Sequence, residues 1–182
     1  MTLPNYFTLI RIILTPLFFT ALVSYESGKE HYRWIAFGVF IAAVFSDALD
    51  GFLARVLKQK SNLGRIMDPL ADKLLLVSGY VGLLYVEALP LHPPLWITVT
   101  IVFRDMVLLV GLLIIFLISG QLPVQPNLLG KATTVCQMAV LVTVLLQWPI
   151  SVFLWNLAAL FTIASCVVYV FRELNQLNGS AS

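Results

Sequence analysis

The sequence has few of the side chains that bind zinc or carry thiol chemistry. Its 182 residues include two cysteines and two histidines. Cys136 and Cys166 lie in apolar stretches, far apart and without the spacing of a metal site, so we expect them to be small buried apolar residues. Charge is also scarce, at 11% of residues with a net charge of +2, and no basic run is interleaved with aromatic residues. This composition disfavours a zinc site and predicts that nucleic acid is not a partner.

Apolar residues, by contrast, are abundant. They make up 60% of the chain, and the mean hydropathy is +0.94. A bilayer core of about 30 Å is crossed by a helix of about 20 apolar residues. We therefore predict an all-α integral membrane protein with about six transmembrane helices in one bundle, at 5–24, 32–57, 67–88, 94–119, 128–148 and 150–172. One transmembrane domain would occupy residues 1–176, followed by a disordered tail at 177–182.

Basic residues between the predicted spans indicate the orientation. Lys58, Lys60 and Arg65 lie between spans two and three, whereas the connections near 89–94 and 148–150 carry no Lys or Arg. The positive-inside rule then places both termini and the 58–66 loop in the cytoplasm of a bacterial inner membrane.

Four of the nine acidic residues fall in one short window. Asp47 and Asp50 are spaced i, i+3, and Asp68 and Asp72 are spaced i, i+4, so each pair lies on one face of its helix. An acid in a transmembrane segment is expensive to insert, and by default it marks a functional site. Asp50 would lie roughly 10 Å inside the cytoplasmic end of its helix, within reach of a lipid headgroup and of a water-soluble molecule.

Carboxylates converging in an apolar setting repel one another unless cations neutralise them. Mg²⁺ or Mn²⁺ suits oxygen ligands and bridges to phosphate, and two such ions would clamp a diphosphate. Arg55 and Lys58 follow the acids and would help to hold that diphosphate. The alternative is that buried acids pair with arginine only to fix helix packing. Arg55, Lys58, Lys60 and Arg65 would then serve only to orient the chain in the membrane.

The acidic window is similar to the signature of the CDP-alcohol phosphatidyltransferases, Asp47-x-x-Asp50-Gly51-x-x-Ala54-Arg55, eight residues, Gly64-x-x-x-Asp68-x-x-x-Asp72. The start of the chain, Leu3-Pro4-Asn5-x-x-Thr8-Leu9-x-Arg11, resembles the amino-terminal segment of bacterial phosphatidylglycerophosphate synthases within that family.

The resemblance implies a six-helix fold, usually homodimeric, in which an alcohol displaces CMP from CDP-diacylglycerol. It implies that the metal ligands are Asp47, Asp50, Asp68 and Asp72, with Asp72 also the general base. It further implies that the CDP-lipid site is lined by Asp50, Gly51, Ala54, Arg55 and Gly64.

The later spans bear on the acceptor alcohol. Arg104 beside Asp105 has two possible roles. It is either a structural pair or, together with Lys131 and Thr134, part of an anion-binding pocket for a phosphorylated acceptor such as glycerol 3-phosphate. The segment around Gly130 and Lys131 resembles phosphatidylglycerophosphate synthases. The Arg104-Asp105 pair resembles the eukaryotic-type cardiolipin synthases, whose acceptor is the lipid phosphatidylglycerol.

A small ion or metal transporter would also place acids inside spans. It would be expected to show inverted repeats and helices broken near the bilayer midplane. The halves 1–90 and 91–182 show no convincing repeat, and the acidic window lies wholly in the first, so the transferase is the favoured hypothesis.

Overall fold

The computed structural model describes residues 3–56, 62–119 and 128–179, and the fold over these ranges is all-helical. Its six helices are α1 (Leu3–Val23), α2 (Glu30–Val56), α3 (Asn62–Tyr85), α4 (Leu95–Ser119), α5 (Leu128–Leu145) and α6 (Ser151–Gly179). The predicted all-α class and the number of helices are confirmed.

The helix ends differ from the predicted spans. Helix α3 begins at Asn62, before the predicted start at 67, and α6 continues to Gly179, past 172 and into the predicted tail. Residues 180–182 lie outside the described part. Hydropathy locates only the apolar section of a helix, whereas polar helix formers such as Arg172 and Glu173 extend α6 beyond it.

The six helices pack in two groups. Helix α1 packs chiefly on α2 and α3, whereas α5 packs on α6, and α4 joins the groups by contacting α3 and α6. Phe18 of α1 and Phe40 of α2 are fully buried, with ring centroids 5.3 Å apart. The first group positions the acidic window, because Asp47 lies on α2 and both Asp68 and Asp72 lie on α3.

Two glycines let α3 approach its neighbours closely. A Cβ atom at Gly82 would lie 2.7 Å from Cδ2 of Leu22 on α1. One at Gly79 would lie 2.8 Å from Cδ1 of Leu141 on α5. Small residues at such contacts are typical of helices that associate by close packing in membranes.

Within the described residues, three helices are long and apolar enough to cross a membrane: α1 over Tyr6–Val23, α2 over Glu30–Leu49 and α6 over Ser151–Val168. Helix α5 has a shorter apolar stretch, Leu129–Leu145. Large apolar side chains such as Phe45, Phe103 and Leu117 are more than half exposed, as expected for a surface in contact with lipid. Crossing by all six helices remains a prediction.

Candidate active site

An arginine of α1 joins the two helices that carry the acidic window. The Arg11 guanidinium donates from Nη1 to Oδ1 of Asp72 at 2.6 Å and from Nη2 to Oδ1 of Asp47 at 2.7 Å. Arg11 is fully buried, whereas the side chains of Asp47 and Asp72 are 36% and 27% exposed. Asp47 of α2 and Asp72 of α3 therefore meet at one buried cation.

A threonine of the same helix holds a third acid. The Thr8 hydroxyl donates to Oδ1 of Asp68 at 2.6 Å. Thr8 and Arg11 are spaced i, i+3 and therefore share one face of α1. Both side chains are almost completely buried, so α1 forms the inner wall of the carboxylate cluster, which we define as Asp47, Asp68 and Asp72.

A second set of charges begins at the next residue of α3. Lys73 donates from Nζ to Oδ1 of Asp105 at 3.0 Å, and it lies 3.4 Å from the Thr134 hydroxyl. Arg104 donates to the same Asp105 oxygen at 2.8 Å and to the Ser165 hydroxyl at 2.7 Å. We call these residues of α3, α4, α5 and α6 the interior ion network.

The described contacts favour a structural role for the Arg104-Asp105 pair. Arg104 is 5% exposed and Asp105 is fully buried, and the guanidinium is directed to Asp105 and Ser165. Lys131 is exposed, and Thr134 adjoins Lys73. The predicted acceptor pocket of Arg104, Lys131 and Thr134 remains a prediction, although the guanidinium of Arg104 already bonds to Asp105 and Ser165.

Several predicted residues lie partly outside the described structure. Gly51 is half-buried on α2. The side chains of Asp50, Ala54 and Arg55, and the surroundings of Gly64, are not among those described. Their predicted roles in metal and CDP-lipid binding therefore remain predictions, and so does the role of Asp72 as general base.

The donor atoms of the carboxylate cluster fit a hard divalent cation. They are carboxylate oxygens from two helices, on partly exposed side chains whose described contacts include no His or Cys, which is the chemistry that Mg²⁺ or Mn²⁺ prefers. Among the described side chains, no three residues of the types Asp, Glu, His and Cys are gathered closely enough to hold a metal ion. The donor type therefore fits a metal, whereas the proposed ligand set still needs Asp50.

Sequence reasoning missed Thr8, Arg11 and Lys73 as members of the polar clusters. A signal for Arg11 existed, since it is a charged residue inside a 21-residue apolar helix and such residues pair within the bundle. Its spacing from Thr8 gave a second signal. For Lys73, its place directly after Asp72 was the only hint.

Comparison with known proteins identifies the family. Residues 1–171 match the model of the CDP-alcohol phosphatidyltransferases. The chain is 40% identical to a cardiolipin synthase (CMP-forming) of Streptomyces coelicolor over 74% of this chain and 60% of that protein. It is 33% identical to a probable phosphatidylglycerophosphate synthase of Mycobacterium tuberculosis over 97% of this chain and 84% of that protein.

A third relative is matched nearly end to end. The chain is 30% identical to a CDP-diacylglycerol–glycerol-3-phosphate 3-phosphatidyltransferase of Bacillus subtilis, over 98% of both chains. The match favours the transferase over the transporter that the acids alone left open. With its acidic signature intact and nearly its whole length matched, the chain belongs to the CDP-alcohol phosphatidyltransferase family.

Proposed function

We propose that this protein transfers the phosphatidyl group of CDP-diacylglycerol to sn-glycerol 3-phosphate, giving phosphatidylglycerophosphate and CMP. The observation that carries the proposal is the meeting of Asp47 and Asp72, from two helices, on the buried Arg11 of a third. Because these two acids belong to the acidic signature of the family, we take their meeting point as the reaction centre.

The four aspartates would serve the displacement of CMP as a general base and as metal ligands. Asp72 accepts the proton of the acceptor hydroxyl while the hydroxyl oxygen attacks the lipid-side phosphorus of CDP-diacylglycerol. The bond between that phosphorus and the oxygen bridging to CMP breaks, and CMP leaves with both electrons of the bond. Asp47, Asp50, Asp68 and Asp72 would hold Mg²⁺ or Mn²⁺, which would neutralise the diphosphate and stabilise its developing charge.

Small residues would provide the space for the nucleotide. Gly51 and Ala54 follow Asp50 on one face of α2, and Gly64 precedes Asp68 by one turn on α3. Arg55 would balance the negative charge of the diphosphate. A direct displacement needs no covalent enzyme intermediate, because positioning and charge stabilisation suffice.

The site would open to the cytoplasmic leaflet of a bacterial inner membrane, where membrane lipids surround the bundle. The basic residues Lys58, Lys60 and Arg65, which lie in sequence between the apolar parts of α2 and α3, support this orientation through the positive-inside rule. Six transmembrane spans and a homodimer are part of the same proposal, and they rest on the family resemblance.

Glycerol 3-phosphate is favoured as acceptor for two reasons. The relatives from Bacillus subtilis and Mycobacterium tuberculosis are matched over nearly this whole chain, and the first is named for that acceptor. Lys131 also presents an exposed ammonium group at the start of α5, which is suited to a phosphate dianion.

Phosphatidylglycerol is the second candidate acceptor. It is supported by the 40% identity to the Streptomyces coelicolor cardiolipin synthase and by the resemblance of the Arg104-Asp105 sequence to the eukaryotic-type cardiolipin synthases. Its phosphodiester carries one negative charge, so it should depend less than a dianion on an added cation.

The acceptor is tested with purified enzyme, CDP-diacylglycerol and Mg²⁺ or Mn²⁺. Glycerol 3-phosphate should support CMP release, and Lys131→Gln should raise the apparent KM for it while leaving that for CDP-diacylglycerol nearly unchanged. Lys29→Gln, which alters an exposed lysine paired with Glu26, is the matched control. Cardiolipin formation from phosphatidylglycerol without use of glycerol 3-phosphate would favour the second candidate.

A further inference from the structure

Arg11 is a buried cation whose described ionic contacts all lead to the carboxylate cluster. It is the largest of the fully buried side chains. A buried ion is tolerated when its partners offset the loss of hydration. Arg11 finds these partners in Asp47 and Asp72, and neither belongs to its own helix.

The shape of the guanidinium group fixes the arrangement of the two acids. The group is planar, and its terminal nitrogens stand at a fixed separation. Because Nη1 bonds to Asp72 and Nη2 to Asp47, the spacing of the two carboxylates depends on α1, which packs on both α2 and α3. Their mutual repulsion is also reduced by the positive charge between them.

Thr8, about one helical turn before Arg11 on α1, contacts a third acid of the cluster. Its hydroxyl donates to Asp68 at 2.6 Å, and Asp68 and Asp72 are neighbours along α3. The same face of α1 therefore orients carboxylates at three positions of the acidic signature.

We infer that Thr8 and Arg11 of α1 are positioning residues that hold Asp47, Asp68 and Asp72 in the arrangement that binds the divalent cation. This inference deepens the proposed function and rests on it. It assigns α1 a role in metal affinity, beyond its role in packing the bundle.

The test is the affinity of the purified, detergent-solubilised protein for Mn²⁺, measured by electron paramagnetic resonance of the unbound ion. Partners of metal ligands typically change metal affinity by about 10–100-fold. Arg11→Met should weaken Mn²⁺ binding by at least about tenfold. Arg11→Lys should recover only part of the affinity, because lysine keeps the positive charge but lacks the two terminal nitrogens that bond to both acids. Thr8→Val, which removes only the donor hydroxyl, should weaken binding less than Arg11→Met does.

Leu22→Ala is the matched control on the same helix. Leu22 is buried against α3 near Gly82, so its truncation should lower the midpoint of thermal unfolding with Mn²⁺ affinity unchanged. Unchanged or tighter Mn²⁺ binding in folded Arg11→Lys and Thr8→Val proteins would overturn the inference, even if Arg11→Met fails to fold.

The outcomes also separate the inference from the proposed function. Wild-type protein that binds Mn²⁺ yet releases no CMP with any acceptor would refute the proposed function, and the variant affinities would still decide the inference. Wild-type protein that binds no Mn²⁺ would overturn both.

Discussion

Asp72 and Lys73 are consecutive residues of α3 that serve different clusters. Successive residues differ in direction by about 100° around a helix. Asp72 therefore reaches Arg11 on α1, whereas Lys73 reaches Asp105 on α4. At the scale of single residues, the proposed reaction centre and the interior ion network meet at this pair.

The proposed base can be tested by Asp72→Asn. The amide cannot take the acceptor proton, so kcat for CMP release should fall by about 10²–10⁴-fold, with a smaller effect on the KM for CDP-diacylglycerol. Glu87→Gln, which alters an exposed acid outside both clusters, is the control. An unchanged rate would contradict the role, and a much larger loss would identify Asp72 chiefly as a metal ligand.

The interior ion network should contribute to stability. Oδ1 of Asp105 accepts from both Lys73 and Arg104, so Asp105→Asn removes the charged partner of the buried Arg104 and of the largely buried Lys73. Breaking a buried ion pair costs about 3–5 kcal/mol, and the thermal midpoint in detergent should fall clearly. Glu26→Gln, at the exposed pair with Lys29, should change it little, and equal shifts for the two variants would contradict this account.

The sequence predicted the acids of the site better than their partners. The spacing of Asp47, Asp68 and Asp72 fixes the helix face on which each lies, because helix geometry is local. The contacts of Thr8 with Asp68 and of Arg11 with Asp72 join residues 60 and 61 positions apart, and Arg11 also reaches Asp47 on another helix. Local periodicity carries no information about which neighbouring helix supplies such a partner.

At the scale of helices, α1 and α3 form the contact on which the site depends. Leu22 packs at the Gly82 position near the C-terminal ends of both helices. Thr8 and Arg11 meet the acids nearer the N-terminal ends. The sequence predicted the existence of both helices from their apolar runs. It did not predict the start of α3 at Asn62, because that first turn is too polar to belong to an apolar run.

Gly82→Leu tests the close approach of α1 and α3. The added side chain would collide with Leu22, and overpacking typically costs about 1–3 kcal/mol. Both the unfolding midpoint and the rate of CMP release should therefore fall. Gly38→Leu is the matched control, because a Cβ at Gly38 meets no atom within 4 Å, and a loss of stability as large as that of Gly82→Leu would contradict the role of close packing.

At the scale of the whole molecule, polar contacts link all six helices. The carboxylate cluster with its α1 partners joins α1, α2 and α3, and the interior ion network extends from α3 to α4, α5 and α6. Polar groups at membrane depth must find their partners inside the protein. The charged groups of Arg11, Arg104 and Asp105 are therefore buried inside the bundle, while large apolar side chains remain exposed on the outside.

The family and its reaction could be predicted from the sequence because eight signature positions have fixed spacing within one short window. The acceptor could not be predicted as firmly, since its determinants are dispersed over α4 and α5. Arg104 illustrates the difficulty, because an intramembrane cation serves a buried acid or a substrate phosphate equally well until its contacts are known.

The central claim is that the carboxylate cluster performs metal-dependent release of CMP. The most direct measurement is CMP release from CDP-diacylglycerol with glycerol 3-phosphate or phosphatidylglycerol, by wild-type and Asp68→Asn enzyme, with Mn²⁺ and after chelation. We expect release by the wild type that chelation abolishes and Mn²⁺ restores, and loss of both Mn²⁺ binding and turnover in Asp68→Asn, because an amide cannot offset a divalent charge. Release that persists after chelation, or in Asp68→Asn at the wild-type rate, would contradict the account.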